Sequence, residues 1–118
     1  MSEKRIFIDS LNDILNEIDR IIKFIDKMTY DEFIQDEKTI YAVVRSFEII
    51  GEATKNIPDD IKEIYNQVPW GKISGMRNKL IHEYFGVDLE TLWNTIKNRL
   101  FEIKQPILEI LNSFNSKE

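Results

Sequence analysis

Apolar residues recur along the first quarter of the chain at the spacing of an α-helix. They step by three or four positions, and they are Ile8, Leu11, Ile14, Ile18, Ile21, Ile25 and Met28. Such steps place side chains on one face of a helix. The polar residues between them are Asn12, Asp13, Asn16, Glu17, Asp19 and Arg20. The pattern therefore predicts a long amphipathic helix with these polar residues on its outer side.

A short helix and a second long helix are predicted next. In "TYDEF", Thr29 can cap a helix and Glu32 can close a capping box. The long helix is expected from Lys38 to about Asn56. Its apolar face carries Ile40, Val43, Phe47, Ile50 and Thr54. Its opposite face carries Tyr41, Arg45, Glu48 and Glu52, at roughly 100° per residue.

Prolines mark two further helix starts. Pro58 precedes two acids, which are favoured in a first turn, and this predicts a short helix. Pro69 begins a helix that is expected over residues 70–84.

A last helix is predicted from Leu89 to about Asn112, with Asp88 as its N-cap. Its stripe is Leu89, Leu92, Trp93, Ile96, Leu100, Ile103, Ile107 and Leu111. Pro106 should kink or split this helix, and the tail is expected to fray from about residue 113. Without any strand pattern or internal repeat, the prediction for residues 1–118 is one all-α domain. It is an antiparallel bundle of about four main helices plus short ones.

Composition narrows the possible functions. The 118 residues include no cysteine and one histidine, so disulfides and a multi-histidine metal site within one subunit are excluded. No stretch is long and apolar enough to span a bilayer, and we expect a cytoplasmic protein. The net charge is −5, whereas a general nucleic-acid-coating protein is normally basic. Contact with nucleic acid would therefore be local, and the acidic balance also suits a basic protein partner.

The single histidine lies in "GMRNKLIHEYF", residues 75–85. On a helix, the apolar side of this segment holds Trp70, Ile73, Leu80, Ile81 and Tyr84. Arg77 projects into that side, where a guanidinium needs a partner because burying it alone is costly. Asn78 and His82 are four residues apart, so they lie on one line along the helix, at the flank of its apolar side. Gly71 and Gly75 lie near that line and leave the surface flat enough for a second backbone or a ligand.

These residues have ordinary structural interpretations as well. His82 has an unperturbed pKa of about 6.5, which suits proton transfer, but a lone histidine is more often structural or simply exposed. Arg77 could merely pair with Glu48 or Glu52. Tyr84 could be a helix-end aromatic whose hydroxyl reaches water. The residues alone leave these alternatives open.

A family resemblance adds to this interpretation. "RNKLIHEY", together with "RSFEIIGEATK" (45–55), "VPWGKISGMRN" (68–78) and "HEYFGVDLETLW" (82–93), resembles the HepT-like toxins of the HEPN ribonuclease superfamily. The likeness runs from about Thr39 to the last helix.

The resemblance implies a homodimeric helical bundle whose two motifs face each other across a cleft and cut RNA without a metal. It implies a toxin paired with a nucleotidyltransferase antitoxin, which uses ATP and magnesium to transfer AMP onto the motif tyrosine. Carried over to this chain, His82 is the catalytic acid/base and Arg77 binds the phosphate. Asn78 supports them, and Tyr84 is the modification site. Both copies of Arg77, Lys72 and Lys79 would add positive charge to the cleft.

Arg45, Glu48 and Glu52 are predicted to form a polar face near the motif helix, with at least one acid pairing with Arg77 or lining the cleft. The alternative is a solvated face of helix-spaced ion pairs. Two other functions also stay open: a non-catalytic module that binds a nucleotide or a nucleotidyltransferase partner, and a structural helical adaptor.

Overall fold

The computed structural model describes residues 3–75 and 89–116, with side chains described over 7–75 and 89–114. The helices are α1 (Glu3–Phe24), α2 (Tyr30–Gln35), α3 (Glu37–Lys55) and α4 (Asp59–Ile64), followed by helical residues 70–75. The last part contains α5 (Leu89–Asn94), a π-helical turn (Thr95–Arg99) and α6 (Leu100–Ser116). Over these ranges the regular structure is helical without strands, which confirms the all-α prediction.

The apolar stripes meet in one core. Helix α1 packs against both α3 and α6, and α2 packs against α3 and α5. The predicted stripe residues that are buried are Leu11, Ile14, Ile18, Ile21, Ile25, Ile40, Val43, Phe47, Ile50, Thr54, Leu92, Ile96, Leu100, Ile103, Ile107 and Leu111. Ile8, Met28, Leu89 and Trp93 are partly buried against this core. Helical periodicity therefore identified most of the core correctly.

Glu17 is a correction to the predicted polar side of α1. Only 5% of this residue is exposed, although the pattern assigned it to the outer surface. It precedes the buried Ile18 and borders the stripe. Its Oε2 accepts a hydrogen bond of 2.6 Å from Nη1 of the exposed Arg20, so the carboxylate keeps a charged partner at the edge of the core.

Local side-chain bonds set the helix starts near residue 30. The Thr29 hydroxyl accepts from the Glu32 backbone N–H at 3.2 Å, and the Glu32 carboxylate accepts from the Thr29 N–H at 3.0 Å. The predicted capping box is confirmed. Asp36 then caps α3 by accepting from the Thr39 N–H at 3.1 Å. Helix α3 consequently starts at Glu37, one residue before its predicted start.

The last helix differs from the prediction in two places. It is not split at Pro106, which lies inside α6. The departure from α-helical bonding lies earlier, at the π-helical turn, where the Thr95 hydroxyl donates to the Thr91 carbonyl at 2.8 Å. The helix also continues past Asn112 to Ser116. There the Phe114 ring packs 5.3 Å from that of Phe7, which holds the expected fraying region against α1.

Within residues 3–75 and 89–116, no helix combines the length and the apolar character needed to cross a membrane.

Candidate functional site

The central motif residues lie outside the described ranges. Arg77, Asn78, Lys79, His82 and Tyr84 all fall within residues 76–88, as does the predicted N-cap Asp88. The described chain reaches this segment from two sides, through helical residues 70–75 and through the start of α5.

The helix that leads into the motif is fixed by its first turn. The Pro69 carbonyl accepts from the Ile73 N–H at 3.1 Å, and Trp70 Nε1 donates to the Tyr65 carbonyl at 3.1 Å. Trp70 and Ile73 are buried, at 7% and 2% exposure. The predicted apolar side of the motif helix is therefore confirmed at these two positions.

The glycines of this turn lie on the opposite, open side. Gly71 and Gly75 are exposed, and a Cβ atom added at either one would meet nothing within 4 Å. Lys72 is exposed between them. In the described part of the chain this flank is an uncovered surface, and the approach of a second backbone or a ligand to it stays a prediction.

The outer face of α3 carries helix-spaced ion pairs. Arg45 Nη1 lies 3.6 Å from Glu48 Oε2, and Lys55 Nζ lies 3.9 Å from Glu52 Oε1. Both pairs join residues three apart, and each such exposed pair contributes only about 0.3–0.5 kcal/mol. This agrees with the alternative of a solvated polar face. An approach of Glu48 or Glu52 to Arg77 stays a prediction, because Arg77 is not described.

On the other side of the motif, the chain re-enters the bundle beside α2. Leu92 is buried, and the ring of Trp93 lies 5.1 Å from Phe33 and 6.1 Å from Tyr30. Lys97 Nζ lies 5.1 Å from the centroid of the Trp93 ring, in a cation–π arrangement. The apolar stripe predicted a packing role for Trp93 but not this cluster. The four-residue step from Trp93 to Lys97 was the available signal.

Three or more metal-ligating side chains do not gather anywhere in residues 3–75 and 89–116.

Comparison with known proteins bears on the motif. The family model described as Ribonuclease HepT-like matches residues 14–110. A Methanocaldococcus jannaschii protein named "Putative RNase" is 48% identical over 108 residues, 92% of this chain and 89% of that protein. The "Probable ribonuclease HepT" of Thermococcus cleftensis is 46% identical over 101 residues, 86% of this chain and 92% of that protein. No solved structure matches the chain. A family match over most of the chain, together with these identities, makes the chain a member of the HepT-like ribonuclease family of the HEPN superfamily.

Proposed function

We propose that this protein is the toxin of a toxin–antitoxin pair and cleaves RNA without a metal ion. The observation that carries the proposal is the segment "RNKLIHEY", which combines Arg77, His82 and Tyr84 in a chain of a ribonuclease family. The names of the related proteins, which include the word ribonuclease or RNase, support RNA as the substrate.

The motif residues suit the chemistry of RNA self-cleavage. The ribose 2′-hydroxyl attacks the neighbouring phosphorus, and the bond from phosphorus to the 5′-oxygen breaks. One proton must leave the 2′-oxygen, and one must reach the departing 5′-oxygen. His82 has the side chain for both transfers, and the fork of donors on Arg77 suits the charge that develops on the phosphate.

The proposal places the reaction in a cleft between two copies of the chain. Each copy contributes one His82, so a pair can supply a base and an acid. The exposed turn with Gly71 and Gly75 supports close approach of a second copy, because no described side chain covers it. Light scattering at micromolar concentration should give the mass of a dimer, and a monomer mass would count against the cleft.

The direct test compares the wild type with His82→Ala on a labelled single-stranded RNA, with and without EDTA. We expect the wild type to cleave equally in both conditions and His82→Ala to lose cleavage while keeping its helical circular dichroism spectrum. Lys23→Ala is a control, since it removes an exposed side chain on α1, outside the motif and outside the polar face of α3.

Three results of this test would count against the proposal. Cleavage that persists in folded His82→Ala would rule out this histidine as the acid/base. Cleavage lost in EDTA would rule out a metal-independent reaction. Folded wild type that leaves the RNA uncut both with and without EDTA would favour the non-catalytic module.

We further propose that Tyr84 is the site of control. Its phenol oxygen would attack the α-phosphorus of ATP in the antitoxin, pyrophosphate would leave, and the phenol proton would pass to a base. The resulting AMP adds bulk and negative charge two residues from His82, which would repel the RNA phosphate.

This control is testable by mass and activity together. Incubation with the cognate nucleotidyltransferase, ATP and magnesium should add the mass of AMP to the wild type and stop cleavage. Tyr84→Phe lacks only the hydroxyl, so it should fold, stay unmodified and continue to cut. Equal adenylylation and silencing of Tyr84→Phe would show that another residue is the switch.

A further inference from the structure

One flank of the last helix alternates aromatic and basic side chains. Its core face consists of residues that are at most 4% exposed, namely Leu92, Ile96, Leu100 and Ile103. The residue after each of these lies about 100° further round the helix, so the four share one flank. We call them the flank row, and they are Trp93, Lys97, Phe101 and Lys104.

Contacts at both ends define the surroundings of the flank row. At one end, the ring of Tyr30 on α2 lies 6.1 Å from that of Trp93. Lys97 Nζ lies over the Trp93 ring, 5.1 Å from its centroid. At the other end, Lys104 Nζ lies 2.8 Å from Asp19 Oδ1 on α1. Between them Phe101 is 60% exposed. Lys97 is exposed as well, whereas Trp93 and Lys104 are half-buried. The middle of the row is thus accessible, and its ends border α1 and α2.

We propose that the flank row binds single-stranded RNA, with a base on Phe101 and phosphates at Lys97 and Lys104. Aromatic platforms combined with cations are the means by which proteins hold single strands without sequence preference. The row rises about 17 Å along the helix, enough for a few nucleotides. It also begins nine residues after Tyr84, so it would hold a part of the substrate strand outside the cleavage site. This inference rests on RNA being the substrate, as proposed above.

The surrounding charges make the proposal specific. The carboxylate of Asp19 pairs with the ammonium group of Lys104, so an RNA phosphate would have to compete with it for Lys104. Removing the carboxylate charge should therefore improve binding. Arg99 lies on the other flank of the same helix, where its Nη1 is 3.6 Å from Glu102 Oε2. It belongs to the same π-helical turn as Lys97 but not to the row, so it provides a charge-matched control.

The test measures binding of a fluorescein-labelled 2′-O-methyl oligoadenylate of about twelve nucleotides by anisotropy, since aromatic platforms hold strands of that order. This probe lacks the free 2′-hydroxyl that the proposed cleavage needs, so the full-length wild-type protein can be used. Phe101→Ala should weaken binding about fivefold or more through lost stacking. Lys97→Gln should weaken binding as well. The slope of log K against the logarithm of the salt concentration should become shallower by about 0.7, since one phosphate contact is lost.

Two controls separate the flank row from charge in general. Arg99→Gln removes the same charge as Lys97→Gln and should change binding by less than about twofold, because Arg99 lies on the other flank and would contact no phosphate of the bound strand. Asp19→Asn should tighten binding about twofold or more, by releasing Lys104. Circular dichroism and thermal unfolding check that each variant is folded, which exposed positions such as Phe101 should allow.

Four outcomes would overturn the inference, and a fifth would overturn the proposed function instead. Equal losses in Lys97→Gln and Arg99→Gln would mean that charge alone matters, and unchanged binding in folded Phe101→Ala would remove the stacking platform. If Phe101→Ala instead changes the oligomeric mass and leaves RNA binding intact, the row is an interface between copies. Wild type that cleaves RNA but does not bind the probe overturns the flank row alone. Wild type that binds through the row but never cleaves RNA overturns the proposed function alone.

Discussion

Lys27 adopts a backbone conformation that lysine rarely takes. Its φ angle is 63°, in the left-handed region, at the turn after α1. Only glycine enters this region without a steric cost from Cβ, and for other residues the cost is about 1–2 kcal/mol. The turn is fixed nonetheless, because the Met28 N–H donates to the Ile25 carbonyl at 2.9 Å and Ile25 is buried.

We expect Lys27→Gly to stabilise the protein. Relief of the strain exceeds the extra freedom that glycine gives the unfolded chain, so the gain should be roughly 0.5–1 kcal/mol. Urea unfolding followed by circular dichroism measures it. Lys27→Ala removes the same charge while keeping Cβ, and it should give no such gain. A loss of stability in Lys27→Gly would mean that the lysine side chain, rather than its φ angle, dominates at this turn.

At the scale of the helices, the junction of α2 and α3 depends on one carboxylate. The pKa of Asp36 is lowered, first by the hydrogen bond from the Thr39 backbone N–H, then by the Thr39 hydroxyl, with Lys38 adding a smaller effect. Asp36 ends one helix and caps the next, so its charged form stabilises the folded state more than the unfolded one.

The sign of this shift predicts how acid acts on the cap. A carboxyl group whose pKa is depressed by folding contributes stability that is complete above its unfolded value, near 3.8, and is lost as the pH falls through the lower folded value. Asp36→Asn keeps a neutral cap. The difference in unfolding free energy between wild type and Asp36→Asn should therefore be constant near neutral pH and shrink below about pH 4. A difference that stays the same in strong acid would contradict this role.

Helical periodicity predicted the elements well, since each stripe repeats for several turns. The capping box at Thr29 likewise placed the start of α2, and Pro69 placed the start of the helix that follows it. Both signals lie in the residues next to the helix start, so they can be recognised from the sequence. Burial at the edge of a stripe depends on neighbouring helices, which is why Glu17 was assigned to the wrong side. No local pattern predicted the π-helical turn, whereas the exposure of Phe101 agrees with its place outside the predicted apolar stripe.

At the scale of the whole molecule, the net charge of −5 limits how the chain could act on RNA as proposed. Its cations would have to be grouped locally, and the flank row is one such grouping. The proposed catalytic residues Arg77 and His82, and the proposed modification site Tyr84, could be selected from the sequence because they follow a family spacing. A spacing does not give the distances between their side chains, and those stay a prediction because residues 76–88 are not described.

The chemistry of the new RNA ends tests the central claim most directly. Mass spectrometry of the fragments from a defined oligonucleotide distinguishes attack by the 2′-hydroxyl from attack by water. If His82 drives transesterification, the wild type should leave a 2′,3′-cyclic phosphate on one fragment and a 5′-hydroxyl on the other, and His82→Ala should leave the strand whole. Fragments that instead carry a 3′-hydroxyl and a 5′-phosphate would contradict the account.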